Sequence, residues 1–390
     1  LWRFSSLLWI LFRKVSKGRR RASPYCKKCE KRENVLNYPV LKLGKHVPEY
    51  PLIQGGMGVK ISGAKLAGAV ARAGGVGTIA SVGLACDSPH FTGRNYFEAN
   101  CKALAEALAE AREMAPLGIL AVNCMTALTD FVDHVRTACE NGVNAIISGA
   151  GLPLNLPELT KDFPDVALLP IVSSLRALKI IVKKWSRSYD RLPDAIVVET
   201  PLHAGGHLGA TKMSQVEDPA FSLEAVIPEI LEYLKNEVKV DIPVIGAGGI
   251  WGHEDMMRIF GLGATGVQVG TRFACAEEGD ASLRFKQAYL DATEEDVVLI
   301  KSPVGIPGRV IKNPFIARYL EGDVESKPCI ANCLTHCSYR SDRTAFCIAQ
   351  ALVDGYQGDW EHGLFFCGDN VHKCTKMERV EEIFQDFFPV

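Results

Sequence analysis

Pro243-Val-Ile-Gly-Ala-Gly-Gly-Ile-Trp-Gly252 decides the fold, because it can be read in two ways. An apolar run that ends in glycines is how a dinucleotide-binding sheet grips a pyrophosphate. That fingerprint needs G-x-G-x-x-G, and here the last glycine, Gly252, falls one residue late. The run also comes late in the chain, whereas the fingerprint belongs to the first strand. Working outward, short apolar runs of the same kind occupy residues 51–55, 76–81, 119–123, 145–148, 167–172, 195–199, 243–247 and 266–269. Amphipathic stretches with helical periodicity lie between them, as in 64–73, 130–140 and 223–235. Runs without polar alternation read as strands buried on both faces. Eight such β-then-α units predict an α/β chain folded as a (β/α)8 TIM barrel rather than an open sheet.

The 390 residues carry 44 Lys and Arg against 45 Asp and Glu, a net charge of −1, which excludes a generic nucleic-acid binder that needs a basic excess. A hydrophobic share of 47% with 23% charged residues is that of a globular enzyme able to bury a large core. The expected organisation is a poorly ordered tail over 1–45, the barrel over 46–315, and a cysteine-rich extension over 316–390 that packs on the barrel. In the tail, an apolar stretch over 1–12 precedes a basic run over 13–21, the reverse of a secretory signal and too short for a membrane span. Trp2, Trp9 and Phe12 beside those basic residues also suit contact with an anionic lipid surface.

In a barrel of this kind function sits where strands end, so the residues just after each run are the informative ones. Runs seven and eight end in Gly248-Gly249 and Gly270-Thr271, where barrels place a phosphate against loop amides. The competing reading is that these glycines only turn tight corners. The phosphate could belong to a sugar, a nucleotide or FMN. An apolar-plus-glycine first loop (Gly55-Gly56-Met57), Asn123 after the third run and Gln268 in the eighth suit a flat heterocycle with donors and acceptors on its edge.

Taken in order, Gln54-Gly-Gly-Met57, Val122-Asn123, Ser148-Gly149, Ala204-Gly-Gly-His207, Ala247-Gly-Gly-Ile250 and Gln268-Val-Gly-Thr271 resemble the nitronate monooxygenase family. The related FMN-dependent enoyl-acyl-carrier-protein reductases look similar. The resemblance covers residues 52–315 and implies an FMN-binding barrel. It places Gly56, Met57, Asn123 and Ser148 along the flavin. It places Gly205, Gly248, Gly249, Gln268, Val269, Gly270 and Thr271 around the ring edge, ribityl chain and phosphate. Many relatives have Gln or Glu seven residues before the motif histidine. Thr200 stands there in this chain, with Glu199 one residue earlier, so Glu199 reaches the flavin only if the loop around His203 carries one extra residue.

His207 follows two glycines at the end of the sixth unit, and an unperturbed imidazole suits proton transfer at neutral pH. In the monooxygenases the resemblance makes it the base acting on a nitroalkane or nitronate, with O2 as oxidant. In the reductases it assists protonation of an enoyl thioester reduced by NAD(P)H. His203 is the rival by spacing, and His253 reads as a helix-start residue. A non-flavin phosphate-binding lyase or isomerase, and a silent barrel whose cysteine module mediates assembly, are the readings from other classes. The partners expected are thus a small-molecule substrate with O2 or NAD(P)H, no nucleic acid and no stable membrane span, with homo-oligomer formation left open.

Thirteen cysteines, an odd number, argue against a fully paired secreted scaffold and for a reducing, cytoplasmic setting. Cys86, Cys101, Cys124, Cys139 and Cys275 sit singly in apolar segments and read as small hydrophobes. Cys329, Cys333 and Cys337 would share one face if helical, and Cys347 could complete a tetrahedral zinc or iron–sulfur site, although the spacing matches neither a zinc ribbon nor a ferredoxin. Packed free thiols and disulfides are the alternatives. Trp360, Phe365 and Phe366 read as core against the barrel or as a lid over its mouth.

Overall fold

The computed structural model describes residues 38–323, 329, 331–342 and 346–389. The apolar and basic stretches of the expected tail, over 1–21, lie outside them. Eleven strands occur in chain order: β1 (Leu52–Gln54), β2 (Val76–Ala80), β3 (Ile119–Met125), β4 (Ala145–Gly149), β5 (Ala167–Val172), β6 (Ile196–Glu199), β7 (Gly206–His207), β8 (Val244–Ala247), β9 (Gly266–Val269), β10 (Val297–Lys301) and β11 (Pro307–Ile311). The order β1-β2-β3-β4-β5-β6-β8-β9 is parallel and closed, with β1 returning to β9 in the register Ile53↔Gln268. The expected TIM barrel is therefore the fold, with strand limits within two residues of those read from the sequence.

The barrel strands are mostly apolar because both of their faces are covered, and their polar residues gather toward the C-terminal ends. Ile53, Ala121, Ile147, Leu169, Val197 and Ile245 fill the bore. Their neighbours Leu52, Val122, Ile146, Leu168, Val198 and Val244 face the surrounding helices. Leu41 and Leu43, within the stretch read as tail, are buried with the bore residues. Leu41 stands against Gly266 at the start of β9, and Gly44 faces Ala167 at the start of β5, so this segment closes the N-terminal end. Only the opposite, C-terminal end is left to receive a ligand.

The helices follow from stripes and caps. Leu175–Tyr189 buries Leu178, Ile181, Val182 and Trp185, starts on a Ser174 cap and stops at Asp190 in the left-handed conformation. Ala64–Arg72 has no side-chain cap of its own; its first amides are met by Asp280, which accepts from Gly63, Lys65 and Leu66 at 2.9, 3.2 and 3.1 Å. After the barrel, β10, β11 and β7 form a small antiparallel sheet in that order. Arg272, nearly buried, joins the phosphate-side helix Thr271–Ala274 to Glu378 at 2.9 Å and to Asp386, both in the C-terminal segment.

The expected cysteine site does not assemble. Among the described residues no group of three or more His, Cys, Asp or Glu is placed to hold a metal. The helical face proposed for Cys329, Cys333 and Cys337 does not exist, because helix begins only at Ser338. The backbone there is spent on the loop after β3: Leu334 bridges Leu128, Thr129 donates to the Cys333 carbonyl at 3.0 Å, and Thr335 donates to that of Ala127 at 3.0 Å. Cys329 is exposed, while Cys333, Cys337 and Cys347 are half-buried free thiols.

Candidate active site

The upper bore is polar where the lower bore is aliphatic. Alternation carries Asn123, Glu199 and Gln268 inward, two residues beyond Ala121, Val197 and Gly266. Gln268 is 9% exposed, and its side-chain oxygen has no hydrogen-bond partner within the protein. A buried amide oxygen left unpaired is costly, so it marks a place where a donor from outside belongs. Glu199 has its carboxyl pushed up to about 7 by burial, and so is only about half ionised near neutrality.

Around this layer the glycine loops close into a rim. Gly56 lies against the Asn123 side chain so closely that a Cβ would collide with it. Gly55 donates to the Val269 carbonyl at 2.8 Å, next to Gln268 and Gly270. At Gly270 a Cβ would find open space, with only the Met57 sulfur at 3.9 Å. Gly248 and Gly249 have φ of +106° and +72°, a conformation that glycine alone adopts readily. A Cβ on Gly248 would come within 3.2 Å of the Ala204 nitrogen, and one on Gly249 within 2.7 Å of the His203 Cβ. The hydroxyl of Thr271 accepts from the Gly368 N–H at 2.9 Å, which leaves its own proton free to donate.

His207 is half of the two-residue strand β7, paired opposite Gly308 of β11. Its Nε2 shares a hydrogen bond of 2.8 Å with the buried Ser302 hydroxyl, and its ring meets Phe366 edge to face at 5.0 Å. Burial without a carboxylate partner lowers the imidazole to about 4, so it is neutral at physiological pH. His203, the rival, is exposed and ion-paired with Asp369. His253 begins the helix His253–Gly261 and bonds the Phe387 carbonyl at 2.9 Å.

The predicted residues thus fall into linked contacts: Gly56 with Asn123, Met57 with Gly270, Gly248 and Gly249 with the loop before His207, and Gly205 against Cys367 and Gly368. Ser148 is placed differently. It alternates with the inward Ile147 and Gly149, and its hydroxyl donates to the Cys124 carbonyl at 2.9 Å inside the wall. Val269 likewise belongs to the wall core. Ser302, Arg309 and Asp369 were not found from sequence, since they come from the segments after the barrel strands, where no motif flags them. Of the two roles expected for the aromatic trio, Phe365 is core and Phe366 is at the mouth.

An unpaired amide oxygen in the bore, amides on left-handed glycines, and the space over Gly270 fit the edge, tail and body of FMN. Gln268, Asn123 and Glu199 would meet the ring edge, and the Gly248-Gly249 and Gly270-Thr271 loops its phosphate.

The profile of the nitronate monooxygenase family matches residues 40–389. A protein of Staphylococcus aureus named probable nitronate monooxygenase is 28% identical over 320 residues, covering 74% of this chain and 82% of its own. A namesake from Staphylococcus saprophyticus is 28% identical over 203 residues, and there the chain spans about half of the relative, 53%. Among solved structures, FabK from Thermotoga maritima superposes with a TM-score of 0.66 at 25% identity, covering 87% of this chain and 92% of that one. Nitroalkane oxidase from Streptomyces ansochromogenes gives 0.65 at 16% identity, with coverage of 87% and 95%, which speaks for the shared fold.

Proposed function

We propose, for a chain that belongs to the nitronate monooxygenase family and is thereby an FMN-dependent oxidoreductase, that it oxidises nitronates with O2 and that His207 is its base. When bound, FMN supplies the electron acceptance from substrate and the reaction with oxygen. The chain supplies the rest. Gln268 and Asn123 orient the ring, the glycine loops hold the phosphate, and Phe366 keeps water from the imidazole.

The observation that carries this reading is the His207 ring held at the mouth by its hydrogen bond to Ser302 and its contact with Phe366. With Nε2–H donating to the Ser302 oxygen, Nδ1 keeps a lone pair for a substrate proton. Burial keeps the imidazole neutral at physiological pH, so that lone pair is available to take the α-proton of a nitroalkane, a step that a preformed nitronate does not need. The proton so removed leaves an imidazolium beside the nitronate, whose charge favours the protonated ring. The free thiols among the described cysteines suit a reducing, cytoplasmic setting, and among the described residues no helix is long and apolar enough to cross a membrane.

Anaerobic mixing of the flavin-loaded protein with propyl 2-nitronate, and separately with NADH and NADPH, tests the function. The nitronate is expected to bleach the flavin, and the pyridine nucleotides are not. His207→Ala is expected to keep FMN and lose about 10²–10⁴ in turnover of 2-nitropropane, whose α-proton must be removed, while propyl 2-nitronate is affected far less. Bleaching by NADPH alone would favour reduction of an enoyl thioester on the same site, the reading that the similarity to FabK keeps in play.

A further inference from the structure

We propose that Arg309 is a positioning residue whose guanidinium clamps the Pro201–Ala204 turn and so fixes where His207 stands. The inference rests on the reading of His207 as the base. Arg309 lies on β11 opposite Gly206, one step from the Gly308–His207 pair, and is 6% exposed. Its two terminal nitrogens reach three of the turn's carbonyls. Nη1 donates to Ala204, and Nη2 donates to Leu202 at 2.9 Å and to Pro201 at 3.3 Å.

Among the described residues no carboxylate lies within ion-pair distance of this cation. Its solvation inside the protein is therefore the carbonyl cluster itself, and the turn and the guanidinium depend on each other. That dependence matters because the turn runs into Gly205-Gly206, and Gly206 has φ of +68°. Two glycines before His207 permit the close approach that the mouth needs, and they also leave the backbone leading into His207 with little conformational restraint of its own. On the turn the other side-chain tie is the exposed His203–Asp369 pair, and exposed pairs stabilise weakly. Beyond His207, the Leu208 amide is fixed to the Pro307 carbonyl at 3.1 Å, so the strand end is anchored and the turn is the part that needs holding.

A lysine cannot replace this fork, because one ammonium at the end of a flexible stem does not span three carbonyls in the same geometry. The phosphate-side contacts at Gly270 and Thr271 come from other elements, so the clamp acts on turnover more than on flavin retention.

Hydrogen–deuterium exchange and steady-state kinetics on the flavin-loaded protein test this. Arg309→Lys and Arg309→Ala are expected to speed exchange over residues 202–207. Both are expected to lower kcat on 2-nitropropane, whose α-proton the base must take, by about tenfold or more, with flavin content nearly unchanged. Millimolar guanidinium chloride is expected to restore part of the kcat of Arg309→Ala, and methylammonium is not. Unchanged exchange and unchanged kcat in Arg309→Lys would overturn the proposal. So would fast exchange of 202–207 in the parent protein, an outcome independent of whether the alanine variant folds. If nitronate fails to reduce the parent flavin, the functional reading falls, while the exchange arm still judges the clamp.

Discussion

Glu199 and His207 are both displaced from their ordinary titration by burial, in opposite directions, so that near neutrality the imidazole is uncharged and the carboxyl only about half ionised. The Glu199 carboxyl titrates at about 7 against an ordinary 4.5. Between those values the folded chain holds more protons than the unfolded chain, so stability falls as pH rises through that window. The full penalty is present above about pH 7, and none remains well below 4.5. Glu199→Gln removes the charge that burial disfavours. Urea unfolding of the flavin-free variant is therefore expected to show a gain of about 1–3 kcal/mol over the parent near pH 8, and little difference near pH 4. An equal gain at both pH values would mean that Glu199 is not the titrating group.

At the scale of elements, the eight barrel strands were legible because strands buried on both faces leave nearly continuous apolar runs, as Ala167–Val172 and Val244–Ala247 do. The rim glycines were legible because each apolar run delivers its following residues to the same end of the barrel. What failed was inference from spacing where the backbone is irregular. The i, i+4, i+8 series of Cys329, Cys333 and Cys337 presupposed a helix, and the chain instead pairs with the β3 loop. The strand β7 was not read because two residues carry no periodicity; its partner β11 lies about a hundred positions away and supplies the register. Asp280 is another non-local choice, capping Ala64–Arg72 from across the sequence. Asp280→Ala is expected to lower stability by about 1–2 kcal/mol and to shift the thermal midpoint down by a few degrees. A variant with an unchanged midpoint would show that those amides find other partners.

The whole molecule is organised around one open end. Leu41 and Leu43 close the bottom of the barrel, aliphatic side chains fill its lower bore, and the upper bore turns polar at Asn123, Glu199 and Gln268. The segments after the barrel then complete the mouth. Ser302 and Phe366 fix the imidazole, Gly368 meets Thr271, and Asp369 meets His203. On this arrangement the chemistry belongs to the barrel and its C-terminal segment together. The most direct test is the flavin content of the purified protein after denaturation, compared with Gly270→Leu, in which a branched side chain fills the space beside Met57. One FMN per chain in the parent, and a colourless but folded variant, is the predicted result. A parent that cannot be loaded with FMN, or a leucine variant that retains it in full, would contradict the account.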